Sequence, residues 1–182
     1  MWALVEDNNV TQVFTRPKAL TIGENQYQAN IFNLWSTSEL EALGIYAVVQ
    51  DDSNKKDKKY YKNTEQTFSF SDGTVTASYG TATAEDLDIL KTNKKMDVNV
   101  EAGSILSQTD WYRIREADGG TAVPSNVSTH RTAVRTKANA MCAQIDGAAD
   151  VDALAALYEY TNTGTEEEPE YTGPLGEFPE LD

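Results

Sequence analysis

The sequence is poor in the residues on which most enzyme and metal chemistry rests. Cys142 is its one cysteine and His130 its one histidine in 182 residues. A lone cysteine excludes an internal disulfide and a multi-thiolate metal site. Basic residues are also scarce, 15 against 29 acidic, for a net charge of −14. Nucleic-acid binding needs a basic face to neutralise phosphates, so no nucleic-acid partner is expected. Long apolar runs are missing too: none approaches the roughly 18–20 residues of a membrane helix, and no membrane insertion is expected. The opening Met1-Trp2-Ala3-Leu4-Val5-Glu6-Asp7 is apolar over too few residues for a signal peptide and has no basic lead-in, which points to a protein kept in a cytosol. Asp118-Gly119-Gly120 is too short for a phosphate loop and lacks its lysine. Asp51, Asp52, Asp57 and the run Glu166-Glu167-Glu168 could attract a cation, but no segment has the glycine and glutamate positions of a calcium loop. No catalytic residue, cofactor or metal ligand is assigned, and enzymatic activity is not expected.

The acidity that is present is unevenly placed. Residues 161–182 hold seven acids (Glu166, Glu167, Glu168, Glu170, Glu177, Glu180, Asp182) and no base, which is half of the net charge in 22 residues. Three of the five prolines, Pro169, Pro174 and Pro179, lie there as well. This composition reads as an extended acidic arm. Hydrophobic residues, 40% of the chain, suffice for a core, and the length suits one domain or two small ones.

Ahead of the arm the hydrophobic period changes once. Residues 2–5 and 10–14 read as a hairpin around Glu6-Asp7-Asn8-Asn9, residues 15–30 as irregular, and Ile31 to Trp35 as a strand. Ser36-Thr37-Ser38-Glu39 is a capping-box pattern that opens a short helix over 37–43, which Gly44 ends. A strand follows over 45–49, then a polar segment from Asp51 to Lys62 read as a solvated loop. Residues 66–70 and 74–79 alternate around Asp72-Gly73, a hairpin signal, with Val75, Ala77 and Tyr79 on one face.

From residue 83 the spacing is helical. Thr83 can cap a helix through Leu87, Leu90, Lys94, Val98, Ala102, Ile105 and Leu106, with a weak patch at Asp97–Val100 that can break it. Trp111 to Arg115 reads as a turn or short helical piece. Ser125 or Asn126 caps a helix whose Val127, Val134, Ala138, Met141 and Ile145 share a face, and Asp150 caps a last short one. The fold class is therefore α+β: a β-rich domain over 1–80, a helical domain over 81–160 and the arm over 161–182. On this plan His130 reads as a surface or partner-facing residue and Cys142 as a small buried hydrophobe.

Two groups bear on partners. Trp111, Arg113 and Arg115 follow Leu106-Ser107-Gln108-Thr109-Asp110. They fit a recognition element, since tryptophan and arginine are frequent interface anchors. They also fit a structural corner, the favoured reading, with Trp111 in the core and Asp110 paired to Arg131 or Arg135. In the arm, Tyr171, Leu175, Phe178 and Leu181 stand among prolines and acids. A purely solvating tail has little use for four apolar anchors, so an extended peptide docking on a neighbouring protein is favoured over disorder.

Three stretches together resemble proteins of tailed bacteriophages. The first runs from Leu34-Trp35-Ser36 to Leu43-Gly44-Ile45-Tyr46 and looks like a tryptophan, short-helix and Leu-Gly-Ile unit of tail proteins. The second is Leu106-Ser107-Gln108-Thr109-Asp110-Trp111, continuing through Pro124 to Arg131-Thr132-Ala133-Val134-Arg135. It is similar to a segment of tail-fibre proteins and tail-fibre assembly chaperones. The third is Asp150-Val151-Asp152-Ala153-Leu154. The family form carries Tyr-Arg where this chain has His130-Arg131. The resemblance covers about residues 30–160 and implies a fibre- or baseplate-associated protein of the virion tail, assembled in the bacterial cytoplasm from several symmetric copies with other tail proteins. An assembly chaperone absent from the mature virion is the alternative it implies.

Overall fold

A computed structural model describes residues 1–181. It is mixed α+β and divides into two compact units, Met1–Thr83 and Ala84–Asp182. In the first unit, β1 (Trp2–Glu6) and β2 (Asn9–Phe14) pair antiparallel around a two-residue turn, Asp7-Asn8, with both residues at positive φ. Asx residues tolerate that region and the turn matches the strand twist, so the loop is tighter than the four residues expected. Leu20–Ile22 (β3) and Asn25–Tyr27 (β4) form a small hairpin where irregular chain was expected.

Ile31–Leu34 is not a strand but a single helical turn, α1. A run of five residues, apolar but for Asn33, is too short to carry a period that separates the two. Packing decides: Ile31 and Phe32 are both buried, and the Phe32 ring lies 5.0 Å from Trp2 and 5.6 Å from Phe14. A strand would send adjacent side chains to opposite faces. The helix α2 (Thr37–Ala42) has the expected capping box: the Glu39 N–H donates to Ser36 Oγ at 3.3 Å and the Ser36 N–H to Glu39 Oε2 at 2.8 Å. Gly44 follows with φ of +80°, and a Cβ there would lie 2.6 Å from the Val5 carbonyl oxygen, so this corner admits only glycine.

Beyond it run β5 (Ile45–Asp51), β6 (Tyr61–Lys62), β7 (Gln66–Ser71), β8 (Thr74–Tyr79) and β9 (Thr83–Ala84). The main sheet has the order β2-β1-β5-β8-β7, with β5 and β8 parallel and the other pairs antiparallel. Its outer strands β2 and β7 approach each other, so the sheet curls. Asp72 and Gly73 make the β7–β8 turn, both at positive φ, and Val75 and Ala77 are fully buried as the alternation predicts.

The second unit is built on α3 (Leu87–Ser107) and α5 (Ser125–Gly147), joined by α4 (Asp110–Ala117) and followed by α6 (Val151–Ala156). Asp86, rather than Thr83, caps α3, its carboxylate accepting from the Ile89 N–H at 2.9 Å. The patch Asp97–Val100 stays helical because Val98 is buried against α5, and tertiary packing overrides a weak propensity. The small Ala102 and Ala138 sit in the same core as Val134, Met141 and Ile145. Neither Ser125 nor Asn126 caps α5; the boundary falls at Pro124, whose ring suits a helix start. Asp150 caps α6 as expected, accepting from the Ala153 N–H at 2.8 Å. Cys142 is half-buried at the edge of this core.

The arm is not a free extended tail. Thr161–Asn162 (β10) and Tyr171–Thr172 (β11) pair as a miniature hairpin carrying the glutamate run in its loop. The following residues lie on the chain's own helices: Leu175 is buried in the α3–α5 core and Phe178 packs against it. This arrangement corrects the separation of body and arm expected from composition.

Candidate functional site

The end of α3, α4 and the start of α5 form one hydrogen-bonded corner. Arg131, on the inner face of α5, is only 5% exposed. Its Nη1 donates to the Leu106 carbonyl at 2.6 Å and to Thr109 Oγ1 at 2.7 Å, and its Nη2 to Asp110 Oδ1 at 2.7 Å. Thr109, itself buried, donates its hydroxyl back to the Leu106 carbonyl. The fork geometry of a guanidinium allows these three contacts at once; a lysine could not hold all three acceptors in plane. Asp110 keeps 54% of its side chain in water, so the ion pair joins a buried cation to a half-solvated anion. The sequence pattern Thr109-Asp110 … Arg131 is thus a lock that closes the turn between α3 and α4.

Trp111 is not in the core. It is 51% exposed, and Ile114, one turn on, is 62% exposed. No residue of α4 is buried. The helix is held at its ends instead: by the Arg131 lock at its start, and at its finish by Arg115, whose Nε and Nη2 donate to the carbonyls of Thr121 and Ala122. The Trp111 and Tyr112 rings stack at 3.7 Å, and the Arg115 guanidinium lies 5.1 Å and 5.2 Å from their centres. Arg113 makes an exposed ion pair with Glu116 at 3.2 Å, a contact of little energetic weight. So Trp111 and Arg115 are brought together, with Tyr112 added to the group, whereas Arg113 turns to Glu116 instead.

The arm residues are divided. Tyr171 and Leu181 face solvent, whereas Leu175 and Phe178 turn inward. His130, expected at the surface, is buried; its Nε2 lies 2.9 Å from the Pro179 carbonyl. A carbonyl only accepts, so Nε2 carries the proton and the imidazole pins the arm to α5. Nothing in the sequence linked residues 49 apart; only docking of the arm supplies a buried partner. Among the described residues no three acidic, histidine or cysteine side chains converge on a metal-sized site, and no helix is long and apolar enough to cross a membrane. Comparison with protein-family models, curated proteins and solved structures finds no match to this chain.

Proposed function

We propose that this protein is a structural component of a bacteriophage tail, of fibre, baseplate or adaptor type, that acts through protein–protein contacts. The observation that carries the reading is the Trp111 face. The residues through which the chain resembles tail proteins, Thr109, Asp110 and Arg131, form the lock, and the lock holds α4 with its apolar side turned to solvent. An eight-residue helix with no buried residue gains nothing from core packing, so an exposed tryptophan stacked on Tyr112 and Arg115 has the character of an interface anchor. Partners are other tail proteins, with several copies of the chain in a symmetric assembly. Tyr171 and Leu181 of the acidic arm are further contact points. Mass spectrometry of purified particles tests the reading: the chain should be present in mature virions. Its absence there, together with co-purification with fibre from infected lysate, would assign it to fibre assembly as a chaperone instead.

A further inference from the structure

The helix α3 is apolar on two faces, and its own unit covers one of them. Val98 and Ala102 lie in the α3–α5 core. On the opposite side Ile89, Met96 and Val100 are 62%, 59% and 68% exposed. Their spacing of seven and four residues sets them on one line along the helix. Positions 89, 92, 93, 96, 99, 100, 103 and 107 lie within about 60° of that line, and none of the eight is charged. Every charged residue of α3 falls outside this stripe. A helix face that meets only water carries its charges there, so the pattern is that of a helix covered on both sides. Gly103 fits the same reading. A Cβ built on it meets no atom within 4 Å, so nothing among the described residues requires glycine at a mid-helix position that it weakens.

We propose that this stripe docks a second copy of the chain, the two α3 helices pairing in parallel as a short two-stranded coiled coil. Charge selects the partner. Each chain carries −14, so two copies repel across most of their surfaces, whereas the stripe lets them meet with no acid at the centre of the contact. Spacing selects the packing. Residues 89, 93, 96, 100, 103 and 107 follow one another by four and three in turn, a heptad seam with Val100 at an a position and Ile89 and Met96 at d. Asn93 selects the direction. It stands at an a position of the same seam, where a parallel two-fold pair brings it against its own mate and each amide both donates and accepts. An antiparallel pair of the same overlap sets Asn93 against Gly103 and draws the two Asp97 carboxylates together near the axis, a like-charge contact. In the parallel pair Gly103 lets the two backbones approach closely. The contact is isologous and closes at two copies, with both α4 helices at one end. It goes beyond the tail reading and does not rest on it.

Sedimentation equilibrium of the full chain should approach twice the chain mass at about 100 µM, because three apolar positions a side give a weak association. Met96→Glu combined with Val100→Glu should weaken it about tenfold or more. Both positions are exposed, so circular dichroism at 222 nm should show the helical unit intact. Ile89→Cys in a Cys142→Ala background reads the direction. Under mild oxidation parallel copies bring the two introduced thiols within disulfide reach, whereas antiparallel copies hold them about 27 Å apart. Ser53→Cys, exposed in the polar loop of the first unit, is the control and should stay unlinked. A chain that remains monomeric at about 100 µM would overturn the proposal. So would a dimer that the double glutamate variant leaves intact, or Ile89→Cys linking no faster than the control. Each of these reads association of the purified chain and not its presence in particles, so failure of the pairing is distinct from failure of the tail reading.

Discussion

Replacing Arg131 with methionine tests the corner on which the Trp111 face depends. Methionine keeps most of the buried stem and removes three hydrogen bonds, of 2.6, 2.7 and 2.7 Å. A net hydrogen bond to a charged group is worth about 1.5–3 kcal/mol, and three of them sum to an upper bound that the structure reduces. The Leu106 carbonyl keeps the Thr109 N–H and hydroxyl as donors. Asp110, half in water, is resolvated once its partner is gone. Removing a guanidinium also relieves the desolvation of a buried charge whose Nε is unpartnered. The expected loss is therefore about 2–4 kcal/mol, or about 10–20 °C in the melting of a unit of this size. Asp110→Asn should lose less, about 1 kcal/mol, since the buried cation keeps its two other acceptors. Urea unfolding followed by circular dichroism at 222 nm reads the helical unit. A loss under about 0.5 kcal/mol for Arg131→Met, the scale of an ordinary surface substitution, would refute the lock.

Three other perturbations follow from local geometry. Gly44→Ala should destabilise the first unit by about 2 kcal/mol or more, because positive φ and a 2.6 Å approach to the Val5 carbonyl act together; denaturant unfolding of that unit measures it. The Glu39 carboxyl is held below its ordinary value, first by the Ser36 backbone N–H and then by its side chain, so its contribution is present above the glutamate range and is lost as pH falls through the lowered value. The Ser36 amide resonance, followed from pH 7 towards acid, should therefore move below about pH 4.5 and report loss of the α2 cap. Leu175→Ala should destabilise the second unit by about 2–4 kcal/mol and raise amide exchange across residues 173–181, an outcome a free tail would not give.

Legibility in the sequence followed the range of the interactions. The β1–β2 hairpin, though not the tightness of its Asp7-Asn8 turn, the Asp72-Gly73 turn, the Ser36–Glu39 capping box, the Asp150 cap and the Val127-to-Ile145 face are fixed within a turn or two of helix or strand, and the residue types reveal them directly. Where the deciding contact was distant, local pattern misled. Ile31–Leu34 became helix because Phe32 reaches Trp2 and Phe14. The Asp97–Val100 patch held because α5 covers Val98. The arm, polar and acidic in composition, docked because Leu175 finds the core and Pro179 finds His130. At the site, the pairing of Asp110 with Arg131 was one of the readings the residues allowed. The exposure of Trp111 ran against the favoured reading, a corner with Trp111 in the core, since the burial of its helix is set by packing that no local pattern shows.

The most direct measurement of the central claim compares Trp111→Ala with the parent chain in both stability and particle incorporation. If the Trp111 face is a docking surface held out by the Arg131 lock, the variant should unfold within about 0.5 kcal/mol of the parent, as half-exposed surface positions do, yet be depleted from purified particles. A variant that loses 2 kcal/mol or more, or one that incorporates as the parent does, would contradict it.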